Sequence, residues 1–142
     1  MKKIQIINGP NLNLTGLRER NIYGNVEFDA ALQDMREKYA QAEISYFQSS
    51  IEGELIDALH QAGSYADAVV LNAGGYTHTS VAMRDAVAAV SVPVTEVHMS
   101  NIAARESFRH TSLLTGVCRG SIMGFGILSY HLAIEQILMT DK

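Results

Sequence analysis

Residues 68–80 read AVVLNAGGYTHTS, an apolar run that passes into a glycine-rich turn and then into a helix predicted over 80–90. A run that is apolar throughout is typical of a parallel strand buried on both faces. A turn that leads into a helix N-terminus presents free backbone N–H groups, which favour an anion. This stretch therefore predicts one strand–helix unit of an α/β fold, with polar residues after the strand.

The same alternation of strands and helices continues on both sides of this unit. Apolar runs predict strands at 4–7, 44–47, 68–71, 92–97 and 118–123, and apolar spacing predicts helices at 26–40, 80–90, 103–109 and 125–139. Ser49 and Glu52 have the spacing of a capping box, which opens a further helix through Leu55 and Leu59. Alternating strands and helices imply a parallel sheet with helices on both faces. We expect one flavodoxin-like domain over residues 1–142, a three-layer α/β/α sandwich with five parallel strands.

Composition narrows the class of protein. The chain has 142 residues, of which 47% are hydrophobic and 18% charged, as in a soluble globular domain. The net charge of -4 argues against a nucleic-acid partner. No apolar run reaches the ~20 residues of a transmembrane helix, and no secretory segment follows Met1. Cys118 is the only cysteine, so we expect no disulfide within one chain and a cytoplasmic location.

Three polar segments follow predicted strands, at the sheet edge where ligands bind in open parallel sheets. The first runs over residues 8–24, and a connection of about 17 residues is usually functional or disordered. Gly16 and Gly24 bracket a part of it that contains Arg18 and Tyr23 and that we interpret as a mobile lid. A polar surface loop is the alternative interpretation.

The second polar segment is the glycine-rich turn at 72–80. The third, at 96–101, contains a carboxylate and an imidazole. Glu96 and His98 lie two residues apart on a predicted strand and therefore share one face. A carboxylate beside an imidazole fixes its tautomer and favours its protonated form, which suits a general acid. Arg105 and Arg109 lie one turn apart on the following predicted helix and, with Arg18, indicate a site for a small anion. A solvated polar pair and a solvated helix face are the alternatives.

Several chemistries lack support in the sequence. The four lysines lie outside the three polar segments, so a Schiff base is not expected. The chain has no G-x-S-x-G elbow and no Walker-type phosphate loop. His78, His98 and Glu96 lack the tight spacing of a metal site. The residues alone leave three hypotheses open: an enzyme, a non-catalytic flavodoxin-like module that binds a small anion or nucleotide, and a structural assembly protein.

Several motifs, in order along nearly the whole chain, resemble the type II 3-dehydroquinate dehydratases. They are NGPNLNL at 8–14, GLRE at 16–19, Tyr23 with Gly24, QS at 48–49, EG at 52–53, LID at 55–57, residues 72–85, residues 96–101, Arg105, FRH at 108–110, GFG at 124–126 and Tyr130. The resemblance implies dehydration of 3-dehydroquinate to 3-dehydroshikimate in the shikimate pathway, by anti elimination through an enolate. It also implies that the reaction uses no cofactor and no metal.

The resemblance implies a catalytic role for five residues. Tyr23 is expected to be the base, as a tyrosinate. Because a phenol ordinarily has a pKa of ~10, a cation must favour the anion, and Arg18 is the expected cation. His98, oriented by Glu96, is expected to protonate the leaving hydroxyl. Asn11 is expected to position a water that stabilises the enolate oxygen.

The resemblance also implies a set of substrate-binding groups. Asn72 and the backbone N–H groups of Met99 and Ser100 are expected at the substrate carboxylate and the C1 region. His78 and Arg109 are expected at the ring hydroxyls.

One further residue of the resemblance implies an oligomer. Asp85 is expected to reach the site of a neighbouring subunit, which implies trimers that assemble into a dodecamer. The sequence departs from the family pattern at two positions, where Arg20 and Ala73 replace the usual prolines. Both changes lose a fixed φ angle in a loop of the site.

Overall fold

The computed structural model describes residues 1–12 and 28–140. Within them, five strands form one parallel sheet in the order β2-β1-β3-β4-β5. The strands are Lys2–Asn8 (β1), Ala42–Gln48 (β2), Ala68–Asn72 (β3), Val94–His98 (β4) and Gly120–Met123 (β5). The α-helices are Phe28–Lys38 (α1), Glu52–Tyr65 (α2), Val81–Ala89 (α3) and Leu128–Met139 (α4). This strand order is that of flavodoxin-like folds, which confirms the predicted fold class.

Two apolar cores lie on opposite faces of the sheet. Because side chains alternate along a strand, Ile6 of β1 packs into one core and Ile7 into the other. The first core contains Phe28 of α1 and Tyr130 of α4, and the second contains Leu55 of α2 and Met83 of α3. The helices therefore form two outer layers, as predicted. Within the described residues no helix is long and apolar enough to cross a membrane.

The predicted capping box at the start of α2 is wrong. Helix α2 is capped by Ile51, whose side chain makes no capping hydrogen bond. Ser49 instead accepts from the Ile51 N–H at 2.9 Å and donates to Glu54 at 2.5 Å. The Glu52 carboxylate accepts a hydrogen bond from Ser80, the N-cap of α3. Local spacing therefore failed because a residue distant in sequence binds the carboxylate that the capping box requires.

The helix predicted over 103–109 is also wrong. The chain forms two short 3₁₀ helices, Ile102–Ala104 and Ser107–Arg109, and Arg105 between them is extended. Ile102 is the only buried residue in the two segments, so a longer helix would have almost no apolar face to pack on the core. Arg105 and Arg109 therefore do not lie on consecutive turns of one helix.

Candidate active site

A pocket of about 110 Å³ lies at the carboxyl edge of the sheet, between the loops that follow β1, β3 and β4. Ligands of open α/β sheets bind at this edge. Many predicted site residues line it: Asn11, Asn72, His78, His98, Met99, Ser100 and Arg109, with Arg105 beside them. A larger cavity of about 570 Å³ lies at the opposite edge, near Lys2, Asp67 and Arg119, but no histidine lines it. Convergent polar groups identify the smaller pocket as the candidate site.

The loops after β1 and β3 pack so closely that one position must be glycine. The Gly9 N–H donates to the Asn72 carbonyl at 2.7 Å, and a Cβ at Gly9 would lie 2.5 Å from the carbonyl oxygen of Ala73. Gly74 has a φ of 60° and lies against Pro10. Asn11 also has a positive φ, of 70°, which asparagine tolerates better than most residues. This contact brings Asn11 and Asn72 to the same pocket.

Glu96 and His98 form the most buried pair of acidic and basic side chains in the described part of the chain. The Glu96 side chain is 1% exposed, and its Oε2 lies 2.7 Å from Nε2 of His98. Ser112 donates to the same carboxylate at 2.7 Å, and Thr115 donates to Oε1. Burial alone raises the pKa of Glu96, but the hydrogen bonds from His98, Thr115 and Ser112 outweigh it and lower the pKa to about 2.

The ionised carboxylate determines the state of the His98 ring. An ionised carboxylate only accepts hydrogen bonds, so Nε2 of His98 must carry the proton that points to Glu96. The other ring nitrogen, Nδ1, is then the one that can exchange a proton with a ligand. The expected role of Glu96, to orient His98, agrees with this geometry.

A second imidazole lies beside the first. The ring centroids of His78 and His98 are 6.5 Å apart and their planes differ by 23°. Nδ1 of His78 lies 2.8 Å from the carbonyl oxygen of Thr111. Because a carbonyl only accepts, this nitrogen carries a proton, and Nε2 is available to a ligand. The two histidines therefore present different ring nitrogens to the pocket.

Two arginines hold positive charge at the rim of the pocket. The Nε of Arg109 donates to Glu106 at 2.8 Å, and its guanidinium lies 5.0 Å from the centre of the Phe108 ring. Arg105 donates to the Ser100 hydroxyl at 3.3 Å. The side chains of Arg105 and Arg109 are 20% and 24% exposed, so both are anchored and still reach solvent. This arrangement suits an anionic ligand.

Four residues support the site although the sequence indicated no site role for them. Ser112 and Thr115 hold Glu96, and Asn8 and Tyr130 are linked to Asn72 by hydrogen bonds. A carboxylate predicted to lie on a buried strand needs donors, and that requirement was a signal for hydroxyl residues in the loop before β5. Nothing local indicated the contact with Tyr130, which is 58 positions from Asn72.

Two predicted site residues lie outside the part of the chain that the structure describes, and a third does not line the pocket of its own chain. Arg18 and Tyr23, together with Gly16, Gly24 and Arg20, lie outside the described residues. Asp85 is exposed on α3 and does not line the pocket of its own chain. In the described part of the chain, no group of three or more His, Cys, Asp or Glu side chains is placed to hold a metal ion.

The sheet places the chain among flavodoxin-like α/β proteins, and its candidate site lies at the carboxyl edge. The family model of class II dehydroquinases matches residues 2–138, and the chain belongs to this enzyme family. The resemblance seen in the sequence is therefore confirmed.

Relatives and solved structures agree with this assignment. The chain is 50% identical to a 3-dehydroquinate dehydratase of Caldicellulosiruptor bescii over 140 residues, which covers 96% of this chain and 97% of the relative. The type II dehydroquinase of Butyrivibrio crossotus has a TM-score of 0.93 at 44% identity, with 96% of this chain and 97% of that chain covered. The corresponding protein of Propionibacterium acnes has a TM-score of 0.94 at 34% identity, with coverage of 99% and 98%.

Proposed function

We propose that the chain dehydrates 3-dehydroquinate to 3-dehydroshikimate and water, by anti elimination through an enolate, as a cytoplasmic enzyme of the shikimate pathway. The family assignment supports the substrate. The observation that carries the mechanism is the ionised Glu96 that holds His98 in the pocket. No step of the proposed reaction needs a cofactor or a metal.

His98 acts as the general acid in the second half of the reaction. Its Nδ1 gives a proton to the C1 hydroxyl, the enolate reverts to the ketone as its electron pair forms the C1=C2 double bond, and the C1–O bond breaks to release water. The Glu96 carboxylate stabilises the protonated ring before the transfer because it faces Nε2 at 2.7 Å. Glu96 itself stays ionised, since three donors hold its carboxylate.

Tyr23 acts as the base in the first half of the reaction. As a tyrosinate it removes the proton from C2, next to the ketone, and the electron pair forms the enolate. Arg18, five residues before Tyr23 in the sequence, is the proposed cation that favours the phenolate, since a cation beside a phenol favours its anionic form. Asn11, which lines the pocket, positions a water against the developing negative charge on the enolate oxygen.

The remaining pocket groups bind the substrate. Asn72 and the backbone N–H groups of Met99 and Ser100 hold the carboxylate and the C1 region. His78 and Arg109 bind the ring hydroxyls, and for His78 the available atom is Nε2.

We also propose that the chain assembles into trimers and that the trimers form a dodecamer. Asp85 is exposed on α3, and in the proposed trimer it reaches the site of a neighbouring subunit. The apolar side chains of Phe125 and Leu128 are 60% and 53% exposed, and an assembly that covers them would remove this apolar surface from water.

The test is an assay with 3-dehydroquinate followed by ultraviolet absorbance, since the product is a conjugated enone. The wild-type chain is expected to raise the absorbance, whereas a chain that only binds anions would not. Tyr23→Phe is expected to abolish turnover and leave substrate binding nearly unchanged, since it removes one oxygen needed in the transition state. Tyr76→Phe is the matched control, because the Tyr76 hydroxyl donates to the Ser50 carbonyl. If Tyr76→Phe were inactive and Tyr23→Phe active, the assignment of the base would be wrong.

A further inference from the structure

A chain of buried polar groups lies behind the pocket. The Asn72 amide nitrogen donates to the Tyr130 hydroxyl at 2.8 Å, and this hydroxyl donates to Oδ1 of Asn8 at 2.7 Å. Asn8 and Tyr130 are fully buried, and Asn72 is 3% exposed. Asn8 ends β1, Asn72 ends β3, and Tyr130 lies in the first turn of α4. Three elements are thus joined at the edge of the sheet that holds the pocket.

The single proton of the Tyr130 hydroxyl determines the direction of both hydrogen bonds. A tyrosine hydroxyl has one proton, and Tyr130 gives it to the carbonyl-type oxygen of Asn8. Towards Asn72 the same hydroxyl therefore only accepts, so it selects the nitrogen end of the Asn72 amide. The Asn72 oxygen accepts from the Gly74 N–H at 3.3 Å. The nitrogen and the oxygen of the Asn72 amide therefore each have a partner that favours this orientation.

We infer that Tyr130 is a positioning residue, which sets the orientation of the Asn72 amide and so the donor that this amide presents to the substrate. The inference rests on the proposed function, because it concerns the group that binds 3-dehydroquinate. An amide has two N–H groups. One is held by Tyr130, and the second is directed by the same contact toward the ligand.

The Tyr130 ring can keep its place without the hydroxyl. It packs edge-on against the Phe28 ring, with centroids 4.9 Å apart, and it belongs to the core between the sheet, α1 and α4. Tyr130→Phe therefore removes the acceptor and keeps the packing. Without the acceptor, only the 3.3 Å hydrogen bond from the Gly74 N–H favours the native orientation of the Asn72 amide. In a fraction of the protein the amide then rotates and presents its oxygen where the substrate requires a donor.

The first experiment compares steady-state kinetics with 3-dehydroquinate. Tyr130→Phe is expected to raise KM about five- to tenfold with kcat within twofold of wild type. The reason is that the variant weakens one modest hydrogen bond, which binds the substrate and the transition state equally. Tyr39→Phe is the matched control, since Tyr39 lies in the same core but its hydroxyl contacts His131 and Glu135. The control is expected to leave KM unchanged.

A double-mutant cycle separates positioning from general loss of structure. In an Asn72→Ala background, Tyr130→Phe is expected to add nothing further to KM, because Tyr130 acts through Asn72. Equal and additive effects in both backgrounds would overturn the inference. An unchanged KM in the single variant would overturn it as well.

A second readout does not depend on turnover. In ¹⁵N-labelled protein, the Asn72 side-chain N–H signals are identified by their loss in Asn72→Ala. Their exchange with solvent is expected to accelerate at least tenfold in Tyr130→Phe and to stay slow in Tyr39→Phe. Slow exchange in Tyr130→Phe would refute the positioning role even if the wild-type chain did not act on 3-dehydroquinate. If Tyr130→Phe did not fold, Asn8→Ala replaces it, because that variant removes the acceptor that orients the Tyr130 hydroxyl. Unchanged KM and exchange in that variant would also refute the inference.

Discussion

Glu96→Gln should destabilise the fold in a way that depends on pH. The wild-type carboxylate accepts hydrogen bonds from His98, Ser112 and Thr115 and is 1% exposed. Glutamine keeps the shape but has one acceptor oxygen where the carboxylate has two, and its amide nitrogen faces donors. The substitution therefore removes the charge that the three donors stabilise.

The pKa of Glu96 gives the magnitude. A fall of this pKa from 4.5 to about 2 corresponds to about 3 kcal/mol of folding free energy, at about 1.4 kcal/mol for each pKa unit. Because the folded-state pKa is depressed, this contribution is fully present above pH 4.5 and is lost as the pH falls towards about 2. At pH 7 we expect Glu96→Gln to lower the free energy of unfolding by about 2–3 kcal/mol, the size typical of a broken buried network.

The assay is urea unfolding of both proteins at several pH values. The difference between them is expected to be largest at neutral pH and to shrink steadily below pH 4.5, as the wild-type carboxylate takes up protons. Glu43→Gln, at an exposed site on β2, is the control and should change stability by less than about 0.5 kcal/mol. A difference that stayed constant from pH 7 down to pH 3 would refute the reasoning, because Glu96 would then not be the group that titrates.

Three further predictions concern packing, assembly and reaction type. Gly9→Ala should lower the free energy of unfolding by about 1–3 kcal/mol, because the new Cβ would lie 2.5 Å from the Ala73 carbonyl oxygen. Gly53→Ala in α2 is the control and should not destabilise the fold, since no atom of the described residues lies within 4 Å of its Cβ; thermal melts compare the two variants. Light scattering should give a mass well above 15.5 kDa, whereas a fully active 15.5 kDa species would contradict the proposed trimer. Borohydride added with 3-dehydroquinate should leave activity intact, since no lysine is among the described residues that line the pocket; inactivation with substrate mass on a lysine peptide would contradict the enolate mechanism.

The fold was predictable because its signals are local and repeated. Residues 68–71 are apolar throughout and form the central strand β3, which is fully buried. Ser80 was expected at the start of a helix, and it caps α3 by accepting from the Met83 N–H. Such signals depend on burial and on capping within a few residues, so a single sequence contains them.

The failures depend on which side chains meet in the folded chain, and local spacing does not contain that information. Glu52 could not act in a capping box because Ser80 binds its carboxylate, and the segment 103–109 could not form one helix because only Ile102 reaches the core. The Glu96–His98 pair was predictable from spacing on a strand. A carboxylate on a buried strand implied hydroxyl donors but not which ones, because the loop that contains Ser112 and Thr115 meets Glu96 only in the folded chain.

In the proposed mechanism, separate residues remove the C2 proton and protonate the leaving hydroxyl. His98→Ala in D₂O separates the two steps, with exchange of the C2 proton followed by NMR and dehydration followed by absorbance in the same sample. Dehydration is expected to fall by about 10²–10⁴-fold, the usual contribution of a general acid, while exchange at C2 continues because Tyr23 still forms the enolate. If exchange and dehydration fell together, His98 would not be the acid of the second step, and the proposed division of roles would be contradicted.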